Sequence, residues 1–222
     1  MTASPGRAPT LFEPDRERFG EGAVLLRRWV DDDVQRELVA RCLALADGPA
    51  GAYVPTVRGG GRMHVRMLCL GLHWNAQSYA YEATRSDFDG HPAPPLPPWM
   101  AAVAVRAAAA AGYDAFAPDV CIVNIYDANG RMGVHQDKDE RPATLARGSP
   151  IVSVSLGDSA RFVLGGLARR DPTQPIWLRS GDVFVLGGPS RLRYHGVTRV
   201  ADQGESTLLG FSGRINLTFR EY

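Results

Sequence analysis

From Asp119 onward the chain is a series of short runs rich in β-branched and aromatic residues, separated by Gly, Pro, Asp and Asn. Strands are expected at VCIVNIY (120–126), IVSVSL (151–156), ARFVLG (160–165), PIWLR (175–179), DVFVLG (182–187), LRYHGV (192–197) and RINLTFREY (214–222). Strands at this spacing, with no helical pattern between them, imply an antiparallel barrel or a double-sheet jelly roll.

Two helices are expected ahead of these strands. Asp31 to Asp33 supply a cap and favourable charge for a helix carrying Val34, Leu38, Cys42 and Leu45 on one side and ending near Gly48-Pro49. The second places Pro98 in its first turn, runs through Met100 to Ala111 and stops at Gly112. Its small residues suit close packing against a sheet. The expected class is therefore mainly β (α+β), braced by two helices from the amino-terminal half. Residues 1–22, rich in Pro, Gly and charge, are expected as a flexible arm, and 23–222 as a single domain. Within it, 50–97, rich in Gly, Arg, Tyr and Trp, is expected to cover one mouth of the barrel.

Composition narrows the class. At 222 residues, 45% hydrophobic and 22% charged, the chain has the make-up of a soluble globular protein that buries its own core. The longest apolar or alanine-rich stretch, around Met100 to Ala111, is too short to span a bilayer, so no membrane role is expected. The first residues lack the apolar core of a secretory signal. Three scattered cysteines, Cys42, Cys69 and Cys121, are expected as packing residues in a reducing cytoplasm. A net charge of +1 argues against coating nucleic acid by bulk electrostatics, so any phosphate contact must be local.

His135-Gln136-Asp137 places an imidazole and a carboxylate two residues apart, on one side of an extended backbone. His195, in a later strand-like segment, can return beside them in an antiparallel fold. Two histidines and one carboxylate leave half an octahedron open, as in non-haem Fe(II) oxygenases. Zinc uses the same ligand types, and each histidine taken alone is more simply a surface or core residue. His64, His73 and His91 are assigned to that ordinary class.

The final strand sets Ile215, Leu217 and Phe219 against Arg214, Asn216, Thr218 and Arg220. An outer, solvated face would explain the polar row. The same pattern recurs in VCIVNIY, where Asn124 and Tyr126 share a face with Ile122, so two strands offer amide, phenol and guanidinium groups near the expected ion. Two arginines in one pocket suit a dicarboxylate, and 2-oxoglutarate also carries oxygens able to chelate Fe(II), leaving a position for O2.

These residues resemble the AlkB-like Fe(II)- and 2-oxoglutarate-dependent dioxygenases, which remove alkyl lesions from nucleic-acid bases. The segments that carry the resemblance are NIYDANGRMGVHQDKDE (124–140), SPIVSVSLGDSARFVLGGLARRDP (149–172), GDVFVLGGPSRLRYHGV (181–197) and RINLTFR (214–220). It runs from roughly residue 50 to the carboxyl terminus. It implies a double-stranded β-helix (jelly roll) with a nucleotide-recognition cover. His135, Asp137 and His195 would then be iron ligands, and Asn124, Tyr126, Arg214, Asn216 and Arg220 the 2-oxoglutarate contacts. The implied reaction is oxidation of an N-alkyl carbon, with release of aldehyde, succinate and CO2.

A base inside a duplex is out of reach, so such an enzyme flips it and holds it between flat side chains. Trp74 and Tyr79 match the family's aromatic pair, with a gap two residues shorter than in a bacterial member, and Tyr81 stands nearby. Asp139 matches a carboxylate that selects cationic bases such as N1-methyladenine and N3-methylcytosine. Arg169 matches a substrate contact. Leu186 stands where the bacterial member has Trp, a change expected to widen the pocket or alter lesion preference. Arg58, Arg62 and Arg66 are candidates for phosphate contact, or for a solvated hairpin. The expected partner is alkylated single-stranded DNA, extending to double-stranded DNA or RNA, acted on by a monomer. The alternatives are the same chemistry on tRNA, protein or a small molecule, and a non-catalytic jelly roll holding structural zinc.

Overall fold

The structure, a computed structural model, describes residues 16–202 and 204–222. In chain order its elements are β1 (Arg16–Arg18), β2 (Ala23–Leu26), α1 (Asp32–Ala46), β3 (Arg66–Leu70), β4 (His73–Asn75), β5 (Ala80–Glu82) and α2 (Pro98–Ala111). There follow β6 (Val120–Tyr126), β7 (Met132–His135), α3 (Pro142–Ala146), β8 (Ile151–Gly157), β9 (Ser159–Leu164), β10 (Gln174–Leu178) and β11 (Val183–Leu186). The last are β12 (His195–Ala201), α4 (Glu205–Leu208) and β13 (Arg214–Arg220).

Two antiparallel sheets face each other as a jelly roll. The larger has the order β1-β2-β11-β8-β13-β6-β3, the smaller β10-β9-β12-β7, and β4 and β5 form a separate hairpin. The helices cover the outer face of the larger sheet. Leu38 and Cys42 of α1 and Met100, Ala104 and Ala107 of α2 join one core with Val123, Val154, Ile215, Leu217 and Phe219. Asp31 caps α1 by accepting from the Val34 amide at 2.9 Å, and Gly112 ends α2 at a left-handed φ of 99°. A second core fills the space between the sheets, with Leu25, Phe184 and Leu186 meeting Phe162, Leu164, Ile176 and Val197.

Several expectations change. Arg16–Arg18, expected in the flexible arm, forms a strand paired with β2 through Arg16↔Leu26 and Glu17↔Leu25. Residues 1–15 of that arm lie outside the described residues. Within 50–97, β3 also extends the larger sheet, pairing with β6 as its edge strand. On α1 the fully buried set is Gln35, Leu38, Val39, Cys42 and Ala46, while Val34 and Leu45 are only half-buried. The strand expected over 192–197 starts only at His195 and continues to Ala201. Ahead of it Arg191 and Leu192 form a turn, the Arg193 amide donates to the Ser190 carbonyl, and Tyr194 bonds across to Gly165 and Gly166. All three cysteines are buried and free. Among the described residues no helix is long and apolar enough to cross a membrane.

Candidate active site

The polar row of β13 faces inward. Arg214, Asn216, Thr218 and Arg220 are all buried, as are their neighbours Asn124 and Tyr126 on β6. The outer, solvated face is thereby excluded, since that side carries Ile215, Leu217 and Phe219 against the helices. Register explains the gathering: Arg214 pairs with Tyr126 and Asn216 with Asn124 across the β13–β6 ladder. On the other side β8 contributes Ser153 and Ser155. Asn216 donates to Ser153 Oγ at 2.8 Å, and Arg214 Nη2 to Ser155 Oγ at 2.8 Å. The same period-two alternation in IVSVSL carries Ser153 and Ser155, which join the row.

His135, Asp137 and His195 converge, each offering a ligand atom within 4.8 Å of the others. His135 and His195 are direct register partners at the junction of β7 and β12. Gly196 permits that approach, because a Cβ there would lie 2.8 Å from the Met132 carbonyl. Each ring is fixed by donating Nδ1–H to a carbonyl two residues upstream, His135 to Gly133 at 2.8 Å and His195 to Arg193 at 2.9 Å. Both Nε2 atoms are thus left on the side of Asp137, at 3.4 and 3.5 Å from its carboxylate oxygens.

Burial opposes the charged form of His135, but the Asp137 hydrogen bond and charge outweigh it and raise its pKa. Burial also disfavours the Asp137 carboxylate, yet the Arg220 guanidinium, at 2.8 Å, and the two imidazoles hold it well below the usual range.

Behind the ligands lies a charge network that the sequence did not disclose. Arg220 pairs with Asp137 and with Glu140 at 3.5 Å, and Arg191 pairs with Glu140 at 2.9 Å while donating to the Asp137 carbonyl at 2.5 Å. Tyr81 belongs here and not at the substrate groove. It is buried, its hydroxyl accepts from Arg220 Nη1 at 2.5 Å, and its ring packs on Tyr222. It is the register partner of Trp74, so it points to the same side of the hairpin but reaches the interior.

Arg214 differs from Arg220. Among the described residues its side chain hydrogen-bonds Ser155 Oγ and, at 3.3 Å, the Asp158 carbonyl, and burial lowers its pKa. Asn124 Oδ1, Arg214 Nε and Arg220 Nε are buried without a partner among the described residues, and all three residues line the recess between the sheets. A buried polar atom left unpaired costs about 1–3 kcal/mol, so this recess is built for a polar occupant. Burial likewise pushes the Tyr126 hydroxyl up to about 12, keeping it a protonated donor. Leu178, Phe162, Phe184 and Leu186 supply apolar walls. Leu186, expected to shape the substrate pocket, therefore lies on this inner recess.

A second, open groove meets the recess at Asn124, Met132, His135, Asp137 and Arg220. Trp74, Tyr79, Asp139, Arg169 and Tyr194 line it. Trp74 Nε1 donates to Asp139 at 2.8 Å, and the Trp74 and Tyr79 rings are 5.8 Å apart. Burial raises the Asp139 pKa against the opposing effect of that hydrogen bond. Arg169 is exposed, with its guanidinium 6.0 Å from the Tyr194 ring. Arg58 also reaches the groove rim, over Tyr79, while Arg62 and Arg66 line a neighbouring depression.

Residues 22–220 match the family model of the 2OG-Fe(II) oxygenase superfamily. The chain belongs to that superfamily. It is 36% identical over 240 residues to the DNA N(6)-methyladenine demethylase ALKBH1C of Arabidopsis thaliana, covering 99% of this chain and 51% of that protein. It is 41% identical to the alpha-ketoglutarate-dependent dioxygenase AlkB of Salmonella typhimurium, covering 94% of each. The solved structure of OsALKBH1 superposes with a TM-score of 0.85 at 36% identity, covering 94% of this chain and 100% of that one. The chain spans about half the length of the Arabidopsis relative. The donor set and unpaired buried groups fit the superfamily's two requirements, Fe(II) at His135, Asp137 and His195 and 2-oxoglutarate beside it.

Proposed function

We propose that the chain is an Fe(II)- and 2-oxoglutarate-dependent dioxygenase that oxidatively dealkylates nucleic-acid bases, with N1-methyladenine and N3-methylcytosine in single-stranded DNA as preferred substrates. The observation that carries this is the meeting of two different cavities at His135, Asp137 and Arg220. One is a guanidinium-lined recess between the sheets. The other is an aromatic groove with a carboxylate at its edge.

Arg214 would hold a carboxylate of 2-oxoglutarate, with Asn124, Tyr126 and Asn216 around it, while Arg220 fixes Asp137. His135, Asp137 and His195 would hold the iron, which when bound would supply activation of O2 coupled to decarboxylation of 2-oxoglutarate to succinate and CO2. Trp74 and Tyr79 offer flat surfaces to a flipped base, and Asp139 offers a negative charge to a cationic one. Once its N-methyl carbon is hydroxylated, the base is released as formaldehyde departs. Three buried free thiols support a cytoplasmic setting, and monomeric action is part of the same proposal.

The names of relatives favour a second substrate, N6-methyladenine in DNA. That base is neutral and would draw less from Asp139. Incubation with Fe(II), 2-oxoglutarate and air, using oligonucleotides that carry one of the three bases, separates the two by mass. Loss of one methyl from N1-methyladenine and N3-methylcytosine in preference to N6-methyladenine is the expected result. Exclusive action on N6-methyladenine would replace the first substrate with the second, and no methyl loss from any of them would refute the proposal.

A further inference from the structure

We propose that Arg58 is a positioning residue for substrate, acting by clamping Tyr79 onto the groove rim; this deepens the dealkylase proposal and rests on it. Tyr79 sits at φ 58°, a left-handed conformation that a bulky L residue adopts only when its surroundings impose it. Its ring is 39% exposed, so core packing is not what imposes it. The constraint comes from two sides.

Asn75 accepts through Oδ1 from the Gln77 and Ser78 amides at 2.8 and 2.9 Å, and its carbonyl accepts from the Tyr79 amide at 2.9 Å. Arg58 closes the other side. Its Nε donates to the Gln77 carbonyl at 2.9 Å, its Nη2 to the Ser78 carbonyl at 3.2 Å, and its guanidinium carbon stands 5.0 Å from the Tyr79 ring centre. One planar group thus grips three consecutive residues. Arg58 is itself tethered, its amide donating to the Ala76 carbonyl at 3.2 Å. A lysine could keep the charge but not the fork or the stacking.

The test uses Arg58→Ala, Arg58→Lys, Tyr79→Ala and the Arg58→Ala/Tyr79→Ala double variant of the iron-loaded enzyme. With an N1-methyladenine oligonucleotide, both Arg58 variants should raise KM about tenfold with little change in kcat, the size expected for losing a stacked, charge-assisted clamp. The double variant should be no worse than Tyr79→Ala alone. Oligonucleotide-independent decarboxylation of 2-oxoglutarate should match the wild type, showing that the metal and cosubstrate sites are intact.

Hydrogen exchange at the Gln77 to Tyr79 amides needs no substrate and should accelerate in both Arg58 variants. Unchanged exchange, recovery of KM by Arg58→Lys, or additive effects in the double variant would each overturn the clamp. Failure of the wild-type enzyme to demethylate any oligonucleotide would instead refute the dealkylase proposal, leaving the exchange result to decide the clamp.

Discussion

Replacing Arg214 with methionine separates what this residue does for the fold from what it does for a ligand. Arg214 is 1% exposed, and among the described residues its side chain donates to Ser155 Oγ and the Asp158 carbonyl. Exchanging buried charge for an apolar chain of similar length stabilises by about 0–4 kcal/mol, while the two stranded acceptors cost about 1–3 kcal/mol each, so mid-range values leave a net cost of about 2 kcal/mol. The ligand-free protein should therefore stay within about 2 kcal/mol of the wild type.

Binding responds differently. Losing one partner of a buried charge pair costs about 3–5 kcal/mol, so the 2-oxoglutarate Kd should rise by roughly two to four orders of magnitude. At a concentration of about 100 times the wild-type Kd, the ligand stabilises wild type by about 2.7 kcal/mol; a variant bound at least about 100-fold more weakly gains no more than about 0.4 kcal/mol. For a chain of this length that is a melting-temperature rise of about 5–11 °C against about 1 °C. Thermal unfolding with Mn(II) and graded 2-oxoglutarate, under nitrogen to prevent turnover, measures both. A variant that melts far below wild type without ligand, or that keeps the full response to 2-oxoglutarate, would refute the assignment of Arg214 as the carboxylate anchor.

Other substitutions test the remaining parts. His135→Ala and Asp137→Ala should both abolish formaldehyde release and Fe(II) binding, but in urea titrations only Asp137→Ala should lose stability, by about 3 kcal/mol, because it strips Arg220 of its 2.8 Å partner. Asp139→Asn should lower kcat/KM for an N3-methylcytosine oligonucleotide at least about tenfold, with oligonucleotide-independent decarboxylation unchanged; equal activity on that substrate would remove Asp139 from base selection. The Asp89 carboxyl is lowered to about 2 by the Arg85 fork. Because the folded value lies below the unfolded one, Asp89 stabilises above pH about 4 and loses that contribution as pH falls towards 2. Melting temperature should therefore drop more steeply over pH 4 to 2 in the wild type than in Asp89→Asn.

The convergence of His135, Asp137 and His195 was legible because it depends on two local rules. Residues two apart share a face, and an antiparallel ladder returns the chain beside itself. The inward polar row was legible from the same alternation, though the choice of side was not. Only the helices, packed on Ile215, Leu217 and Phe219, decide that Arg214 and Arg220 point inside. Other features left no local trace. MGVH at β7 is too short and too poor in β-branched residues to announce a strand, and RMLCL at β3 sits in a stretch whose Gly and Arg content suggests loop. Tyr81 looked like a groove aromatic because sequence distance to Trp74 says nothing about depth. Its burial is set by Arg220, 139 positions away.

The placement of charge inside the sheets has a consequence for how the site works. Asp137 and Glu140 are matched by Arg220 and Arg191, whereas Arg214 is a buried cation with no direct ion pair among the described residues, only the more distant charges of Asp182, Glu205 and Asp158. Three unpaired polar atoms on Asn124, Arg214 and Arg220 surround the same recess. A dianion entering with a divalent metal adds no net charge, yet it provides Arg214 with a counterion and the unpaired atoms with partners. Half of the unpaired buried side-chain atoms among the described residues thus lie where the cosubstrate goes, and binding would give them partners. Sequence changes that satisfied these atoms internally would stabilise the empty fold and weaken the site by the same interactions.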